Sequence, residues 1–326
     1  MVNIVRNIRE EIQDLGGEFY FKTKLIDFDV VDDNMKSITL QNVESGLQTA
    51  IDCKVLVLAI GHSAKSVFKC LKQKNVVMEQ KPFAMGVRIE QQQKDINMSQ
   101  YGVLDNRLPS ADYKLVEHLP NGRSVFTFCM CPGGVVVSSS SEEGTIVTNG
   151  MSYFARDKEN ANSAILVNVD PKDFGSEDVL AGFDFQSKYE KLAFEIGGGK
   201  YVAPAESVGS FLHKNASNNH IESTYKPGVK FDKIEKCLPV FVAESIREAL
   251  PKMEKKIRHF ADDKNILTAI ESRSSCPVKI VRFDDCKTSI KGLYAIGEGA
   301  GYAGGIMSSA QDGLKVAEYV IRYMCK

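Results

Sequence analysis

The sequence predicts an α/β fold in which one domain is interrupted by an inserted α+β domain. Residues 293–326 read as a strand, a glycine-rich turn and an amphipathic helix, and residues 54–63 read as a buried strand ending in a small-residue turn. From Phe83 to Glu90 apolar residues alternate with others, as in a strand that crosses into a second sheet. We therefore divide the chain into an interrupted domain, an insertion and the return of the first domain: residues 1–82, 83–266 and 267–326.

Composition and charge exclude several classes of protein. The chain has 326 residues, of which 43% are hydrophobic and 25% charged, as in a globular chain of about two domains. Its net charge of −1 does not indicate a positively charged surface for binding nucleic acid or an anionic membrane. No apolar run approaches the ~18 residues that span a bilayer, and the charged N-terminus does not read as a signal peptide. We expect a cytoplasmic protein without nucleic-acid or membrane partners.

Periodicity and turn signals predict the remaining elements. Strands are expected at residues 18–21, 25–29, 37–40, 59–61, 113–118, 124–129, 135–138 and 165–169. Helices are expected near the N-terminus and at residues 66–71, 185–196 and 240–250, and a polar surface loop at residues 209–227.

The eight cysteines are scattered, which is typical of reduced thiols. Cys129 and Cys131 would point to the same face of a strand. Residues i and i+2 of a strand stand roughly 6.5 to 7 Å apart along it, whereas a disulfide needs Cβ atoms about 3.5 to 4.5 Å apart. Two packed thiols are therefore favoured over a disulfide, and no Cys-x-x-Cys or histidine cluster indicates a metal.

The glycine-rich turn before the last helix is the strongest functional signal. Its glycines let backbone N–H groups approach a ligand, and the first amides of the following helix, expected near Gly304 and Gly305, attract an electron-rich oxygen. Glu298, inside the turn, can accept hydrogen bonds from hydroxyls. The glycines are Gly297, Gly299, Gly301, Gly304 and Gly305.

This segment resembles the C-terminal flavin motif of FAD-dependent oxidoreductases of the glutathione-reductase-like, two-dinucleotide-fold superfamily. The resemblance implies FAD as cofactor, with the acidic residue on the ribityl or nearby hydroxyls and the helix N-terminus at the flavin pyrimidine edge. The Ala59-Ile60-Gly61 run resembles the superfamily's Ala-Thr-Gly strand, with Ile60 in place of threonine. The implied cofactor-binding residues are Ala59, Gly61, Gly297, Glu298, Gly301, Gly304, Gly305 and Ile306.

Four further segments, in the same order as in the family and together with the closing motif, narrow the resemblance to the uncharacterised bacterial FAD-dependent dehydrogenases, along nearly all of the chain. That family implies an incomplete Rossmann-like FAD-binding domain interrupted by a substrate domain, and oxidation or reduction of a small organic substrate through the flavin. The segments are PFAMGVRIEQ, ADYKLVEHLPNGRSVFTFCMCPGG, SSSEEGTIVTNGMS, ESRSSCPV and the closing motif.

The chain departs from the family's pattern at its N-terminus. Its first residues offer no strand followed by G-x-G-x-x-G, the unit that holds the FAD pyrophosphate. Gly16-Gly17 lies instead between a helical pattern and a strand, which is typical of a helix C-cap. The alternative to an active enzyme is therefore a truncated, non-catalytic or partner-dependent remnant, which binds FAD weakly alone and associates with an N-terminal fragment that carries the missing unit.

Polar residues of the insertion are candidates for substrate binding. Arg88 would bind a substrate carboxylate if its strand face lines the interdomain cleft, and a solvated arginine or a salt bridge to Glu90 is the alternative. Glu271, Arg273 and Ser275 alternate on an apparent strand, which would place them on one face, either in the cleft or at a solvated edge. The Asn149-Gly150 pair predicts a turn.

His62 follows the small-residue turn and is the one candidate for proton transfer, because imidazole titrates near neutrality. The alternative is a histidine that bonds a backbone carbonyl at the end of a strand. The catalytic residues are otherwise unassigned, since flavin chemistry needs no protein nucleophile.

Overall fold

The computed structural model describes residues 2–213 and 220–325. The described residues contain seven α-helices: α1 (Val2–Asp14), α2 (Lys65–Gln73), α3 (Gln93–Tyr101), α4 (Ala181–Gly197), α5 (Val208–His213), α6 (Val240–Glu254) and α7 (Ile306–Met324). Two short 3₁₀ turns lie at Pro171–Asp173 and Ile234–Cys237.

The described residues contain sixteen β-strands. They are β1 (Thr23–Val31), β2 (Asn34–Asn42), β3 (Gln48–Asp52), β4 (Leu56–Leu58), β5 (Met78–Gln80), β6 (Phe83–Gln92), β7 (Val116–His118), β8 (Ser124–Cys131), β9 (Gly134–Ser138), β10 (Thr148–Ser152), β11 (Asn160–Val169), β12 (Ala203–Ser207), β13 (Val229–Phe231), β14 (Ile266–Glu271), β15 (Val278–Ile280) and β16 (Leu293–Ala295).

The largest element is a mixed seven-stranded sheet in the order β13-β12-β14-β6-β11-β8-β7. Central strand β6 has the predicted alternation, since Met85, Val87 and Ile89 are fully buried in the main core cluster. The opposite face carries Arg88 and Glu90, and both are fully buried as well. Helix α6 packs on the first face, whereas the β9–β10 hairpin covers the second, so the sheet is enclosed on both sides.

The first and last segments of the chain meet outside this sheet. Strand β4 pairs in parallel with β16, in register from Leu56 opposite Leu293 to Leu58 opposite Ala295. Strands β5 and β15 pair antiparallel, and the N–H of Lys81 donates to the carbonyl of Pro277 at 2.8 Å. The chain therefore enters and leaves the large sheet side by side, entering at β6 and leaving after β14.

The predicted strand at residues 18–21 is wrong, since regular structure after α1 begins at Thr23. Its aromatic residues, Phe19, Tyr20 and Phe21, lie on the surface, so no neighbouring strand supplies the pairing that would hold them extended. The strand predicted at residues 59–61 is also wrong. Strand β4 ends at Leu58, and Gly61 has φ +58°, a left-handed conformation that turns the chain toward α2.

Three further expectations need correction. The Asn149-Gly150 pair lies inside β10, opposite Val137 and Val136 of β9, rather than in a turn. Helix α5 occupies the start of the predicted loop at residues 209–227, and residues 214–219 of that loop lie outside the described residues. Cys129 is exposed whereas Cys131 is buried, because a bulge between β8 and β11 separates their faces. All eight cysteines are free thiols.

Over the described ranges, no helix is both long enough and apolar enough to cross a membrane. The same residues contain no group of three or more His, Cys, Asp or Glu side chains that could hold a metal ion.

Candidate functional site

The glycine-rich turn joins β16 to α7, which begins at Ile306 with Gly305 as its N-cap, where the sequence predicted the helix to start. Gly297 and Gly301 have φ values of +71° and +83°, which other residues rarely adopt. A Cβ on Gly304 would meet no atom within 4 Å, and one on Gly305 would meet only Ser308 Oγ at 3.6 Å. The protein itself therefore leaves space at the N-terminus of α7.

A buried ion pair fixes the start of this turn. Asp312 accepts a hydrogen bond from the N–H of Gly297 at 2.8 Å and two from Arg282, both at 3.0 Å. Burial acts to raise the pKa of Asp312, but the hydrogen bonds from Arg282 and Gly297 outweigh it and hold that pKa below its usual value. The Arg282 guanidinium also lies 3.6 Å from the ring centroid of Tyr302, so the turn is held from both ends.

The two predicted cofactor segments lie side by side. Ile296 N–H donates to the carbonyl of Leu58 at 2.9 Å, which extends the β4–β16 pairing into both turns. A Cβ on Gly299 would lie 2.5 Å from the carbonyl oxygen of Gly61, so the two backbones can approach only because residue 299 is glycine. The structure thus brings Ala59 and Gly61 against the glycine-rich turn.

His62 is buried and makes one side-chain hydrogen bond, from Nε2 to Gln186 Oε1 at 2.9 Å. Within the described residues its Nδ1 has no hydrogen-bond partner. The nearest carboxylate oxygen is Oε1 of Glu298, 3.9 Å from Nδ1. Burial lowers the pKa of His62 to about 4, although the hydrogen bond to Gln186 acts in the opposite direction. The ring is therefore neutral at neutral pH and does not form an ion pair with Glu298.

Three ionisable side chains at the turn have shifted pKa values: Glu298, Lys81 and Cys276. Burial raises the pKa of Glu298, against the opposing charge of Lys81. Burial lowers the pKa of Lys81, whose Nζ donates to Ser275 Oγ at 2.6 Å. Burial also raises the pKa of Cys276 to about 11, so this thiol stays protonated. Ionisable groups with shifted pKa values beside an open glycine turn are typical of a functional site.

Arg273 connects this site to the large sheet. Its guanidinium bonds both oxygens of buried Glu190, at 3.0 and 2.8 Å, and also Glu142 at 3.1 Å. It donates as well to Ser63 Oγ at 3.1 Å, one residue after His62. Burial acts to raise the pKa of Glu190, but Arg273 outweighs it and the pKa falls below its usual value. Arg273 is thus engaged by protein carboxylates rather than free for a ligand.

Arg88 is a structural residue, contrary to the substrate-binding expectation. It is fully buried and its donors are taken by the protein, two of them by Glu271 at 2.6 and 2.8 Å. Neither predicted alternative holds, because Arg88 is not solvated and its carboxylate partner is Glu271 instead of Glu90. Glu90 is bonded by Ser223 and by Thr224. The other acceptors of Arg88 are Asn162, Asn149 and the carbonyl of Cys129.

The expectation that Glu271, Arg273 and Ser275 share one strand face is also wrong. Strand β14 ends at Glu271, and the irregular residues that follow send the three side chains to different partners. Glu271 bonds Arg88, Arg273 bonds Glu190, and Ser275 bonds Lys81. Of the three, only Ser275 contacts Lys81, whose ammonium forms no ion pair among the described residues and lies beside the glycine-rich turn.

Sequence reasoning missed Lys81, Gln186 and Glu190. Gln186 and Glu190 are four residues apart on α4 and both are fully buried, so their polar positions in an otherwise apolar helix face were the available signal. Lys81 gave no signal beyond its place next to Pro82, at the crossing into the large sheet.

The protein is a mixed α/β protein with a large mixed sheet, and its candidate ligand site is the glycine-rich turn between β16 and α7. Residues 82–274, more than half of the chain, match the family described as FAD-dependent protein, C-terminal domain-like. The chain belongs to this family, and FAD is the cofactor that the family implies.

The chain is 46% identical over 326 residues to an uncharacterized protein of Clostridium beijerinckii. The match covers 98% of this chain and 60% of that protein, so the chain spans about three fifths of the curated relative's length.

Similarity to solved structures is weak. A substrate-free form of the rebeccamycin biosynthetic enzyme RebC is 13% identical, with a TM-score of 0.24 over 46% of this chain and 22% of that one. A variant of the quinol fumarate reductase subunit FrdA from E. coli is 12% identical, with a TM-score of 0.32 over 91% of this chain and 43% of that one.

Proposed function

We propose that this chain supplies the flavin-ring end and the substrate side of an FAD-dependent oxidoreductase that acts on a small organic molecule. The observation that carries the proposal is the open N-terminus of α7. There Gly304 and Gly305 leave space, and the first amides of α7 have no helical acceptor. An isoalloxazine edge, rich in carbonyl oxygen and ring nitrogen, is the kind of group that such a helix end binds.

The chemistry of the surrounding residues also fits FAD. Glu298 carries an acceptor toward the site, as binding of ribityl hydroxyls requires, and buried His62 Nδ1 lacks a protein partner among the described residues. Close backbone contact between Gly61 and Gly299 leaves no side chain between the two turns. These features support Ala59, Gly61, Gly297, Glu298, Gly301, Gly304, Gly305 and Ile306 as the cofactor-binding set.

Bound FAD would supply the acceptor for a hydride or an electron pair, and the protein would orient the substrate. The residues best placed for that task are Lys81 and Ser275, which lie where the chain enters and leaves the large sheet. Among the described residues Lys81 donates to Ser275 and forms no ion pair, so its ammonium can attract an anionic group of the substrate. We place the protein in the cytoplasm, since its eight thiols are all unpaired.

The architecture that we propose is an incomplete Rossmann-like FAD domain, formed by the terminal segments and interrupted by the large-sheet domain. The parallel β4–β16 pair and α7 support this view, because a dinucleotide domain is built from such units.

The alternative function, a chain that depends on a partner to bind FAD, is supported by exposed apolar residues on two helices. All residues of α1 are at least partly exposed, and Ile306, Met307 and Leu314 of α7 are also exposed.

We propose that a segment carrying the pyrophosphate-binding unit covers these apolar faces, as the extra length of the Clostridium relative allows. The experiment that tests both readings is titration of the purified chain with FAD, followed by flavin absorbance and fluorescence. Tight binding by the chain alone supports the complete site, whereas weak binding that strengthens with the added segment supports partner dependence. No binding under either condition would contradict the proposed function.

A further inference from the structure

We infer that the groove between α2 and α4 binds a small dicarboxylate, and that Glu142, in the loop that joins β9 to β10, competes with this ligand for Lys65. The groove contains a cavity of about 730 Å³. None of the residues proposed to contact the cofactor lines this groove, so the inference does not depend on the proposed function.

Lysines from both helices line the groove. Lys65, Lys69 and Lys72 lie at positions i, i+4 and i+7 of α2, a spacing that places them along one face of the helix. Lys191 comes from α4. Lys72 forms an ion pair with Asp178, whereas Lys69 and Lys191 are exposed and form no ion pair among the described residues. Two lysines of the groove are therefore available to an anion.

Glu142 is held in the groove by two cations from different parts of the chain. Its Oε1 lies 2.8 Å from Lys65 Nζ and accepts a hydrogen bond from Arg273 Nη2 at 3.1 Å. The side chain of Glu142 is 33% exposed, whereas Glu190, the other carboxylate on Arg273, is fully buried and accepts two bonds from it. A partly exposed ion pair contributes little to stability, so a ligand carboxylate can displace Glu142 while Glu190 stays on Arg273.

The loop that carries Glu142 is fixed at its base by the backbone and at its tip only by side chains. At the base, the N–H of Ser139 donates to the carbonyl of Val147 at 2.7 Å. Residues 141–144 at the tip make no backbone–backbone hydrogen bond within the described part of the chain. They contact other segments through the side chains of Ser141 and Glu142. Glu142 can therefore leave the groove without any change in the strands that the loop connects.

The charge of the groove favours an anion in place of Glu142. Four lysines and three acidic residues line the groove, which gives a net charge of +1, and withdrawal of Glu142 raises this charge to +2. A carboxylate is the favoured anionic group, because the site already holds one. A ligand with two carboxylates can place the first on Lys65 and the second on Lys69, one helical turn away.

Calorimetric titration of the whole chain with succinate tests the inference, with succinamide as the neutral analogue of the same length. The test variant is Glu142→Ala. The matched control is Glu143→Ala, an exposed neighbour whose removal changes the net charge by the same amount. We expect Glu142→Ala to bind succinate at least fivefold more tightly than the wild type, because the competing carboxylate is gone. Glu143→Ala should equal the wild type, and succinamide should bind none of the three proteins.

Lysine variants locate the site. In the Glu142→Ala chain, Lys69→Met should weaken succinate binding at least fivefold, whereas Lys94→Met, at an exposed lysine of α3, should leave it unchanged. Both lysines are exposed, so neither variant removes a core contact.

Three results would each overturn the inference: equal succinate affinity of Glu142→Ala and Glu143→Ala, equal binding of succinate and succinamide, or equal effects of the two lysine variants. None of these measurements requires a bound flavin. Titration with FAD therefore tests the proposed function separately, and either conclusion can fail while the other stands.

Discussion

Arg88 of β6 and Glu271 of β14 form a two-bond ion pair inside the large sheet, with Nε to Oε2 at 2.6 Å and Nη2 to Oε1 at 2.8 Å. The side chain of Arg88 is completely buried and that of Glu271 nearly so. Burial acts to lower the pKa of Arg88, but Glu271 outweighs it and the pKa is raised, so the arginine stays charged. The pair fixes the position of the strand after which the chain leaves the sheet.

We predict that Arg88→Met lowers the free energy of unfolding by about 3–5 kcal/mol, because it leaves the buried Glu271 carboxylate without its counterion. Urea unfolding followed by circular dichroism measures the change. Adding Glu271→Leu to the same chain should recover part of the loss, since both charges are then absent. Arg107→Met is the control, at an exposed ion pair with Asp105, and should leave the unfolding midpoint unchanged. Equal effects of the two single variants would contradict the structural role of Arg88.

The Gly150→Ala variant tests how closely β10 covers that ion pair. The added Cβ would lie 2.1 Å from both Arg88 Nη1 and Asn162 Oδ1, and both side chains are locked in the core. We expect a loss of about 1–3 kcal/mol in unfolding free energy from overpacking. Gly304→Ala, where the added Cβ meets nothing within 4 Å, should change stability little. A tolerated Gly150→Ala would mean that the hairpin does not lie on Arg88.

The Gly305→Val variant should abolish flavin retention without unfolding the chain. Gly305 has extended backbone, φ −147°, and a Cβ there would meet only Ser308 Oγ at 3.6 Å, so the protein accommodates the added Cβ. The valine would occupy the space that the flavin edge needs. Absorbance of flavin per protein is the measurement, with the chain co-expressed with the segment proposed to complete the domain.

Gly299→Val is the contrasting variant in the same turn. Its Cβ would lie 2.5 Å from the carbonyl oxygen of Gly61, so we expect loss of folding as well as of flavin. Undiminished flavin absorbance in Gly305→Val would rule out the flavin edge at this helix terminus.

His62 should make stability depend on pH. Its pKa is about 4 in the folded chain and about 6.5 when unperturbed, so the unfolded state binds more protons between these values. The free energy of unfolding therefore falls as pH decreases from about 6.5 to about 4, by a few kcal/mol at most for this group. Urea unfolding at pH 7.5 and pH 5 measures the slope, and His62→Gln should have a shallower one. Identical slopes would show that the ring is not buried as a neutral base.

Short-range features were predictable from the sequence. Helix α7 begins where its glycines indicate, and α2, α4 and α6 lie at the predicted places, because helical periodicity and turn residues act over a few positions. Strand β6 has the predicted alternation for the same reason. The glycine-rich turn and its acidic residue were likewise visible in local sequence.

Long-range partners were not predictable. The sequence placed Asn149-Gly150 in a turn because that pair is common there, but pairing with β9 holds it in a strand. It placed Glu271, Arg273 and Ser275 on one strand because their spacing alternates, but β14 ends at the first of them. In each case contacts with distant residues outweighed a local preference.

The sequence by itself determined the elements around the glycine-rich turn and the residue types that we propose to face a ligand. Only the tertiary structure decided which of these residues are free to bind one. Arg88 is paired with Glu271, 183 residues away, and His62 is fixed by Gln186 at a separation of 124, with its Nδ1 buried and without a partner among the described residues. Hydrogen bonds and ion pairs form only between atoms about 3 Å apart, and the separation of two residues along the chain does not determine their distance in space.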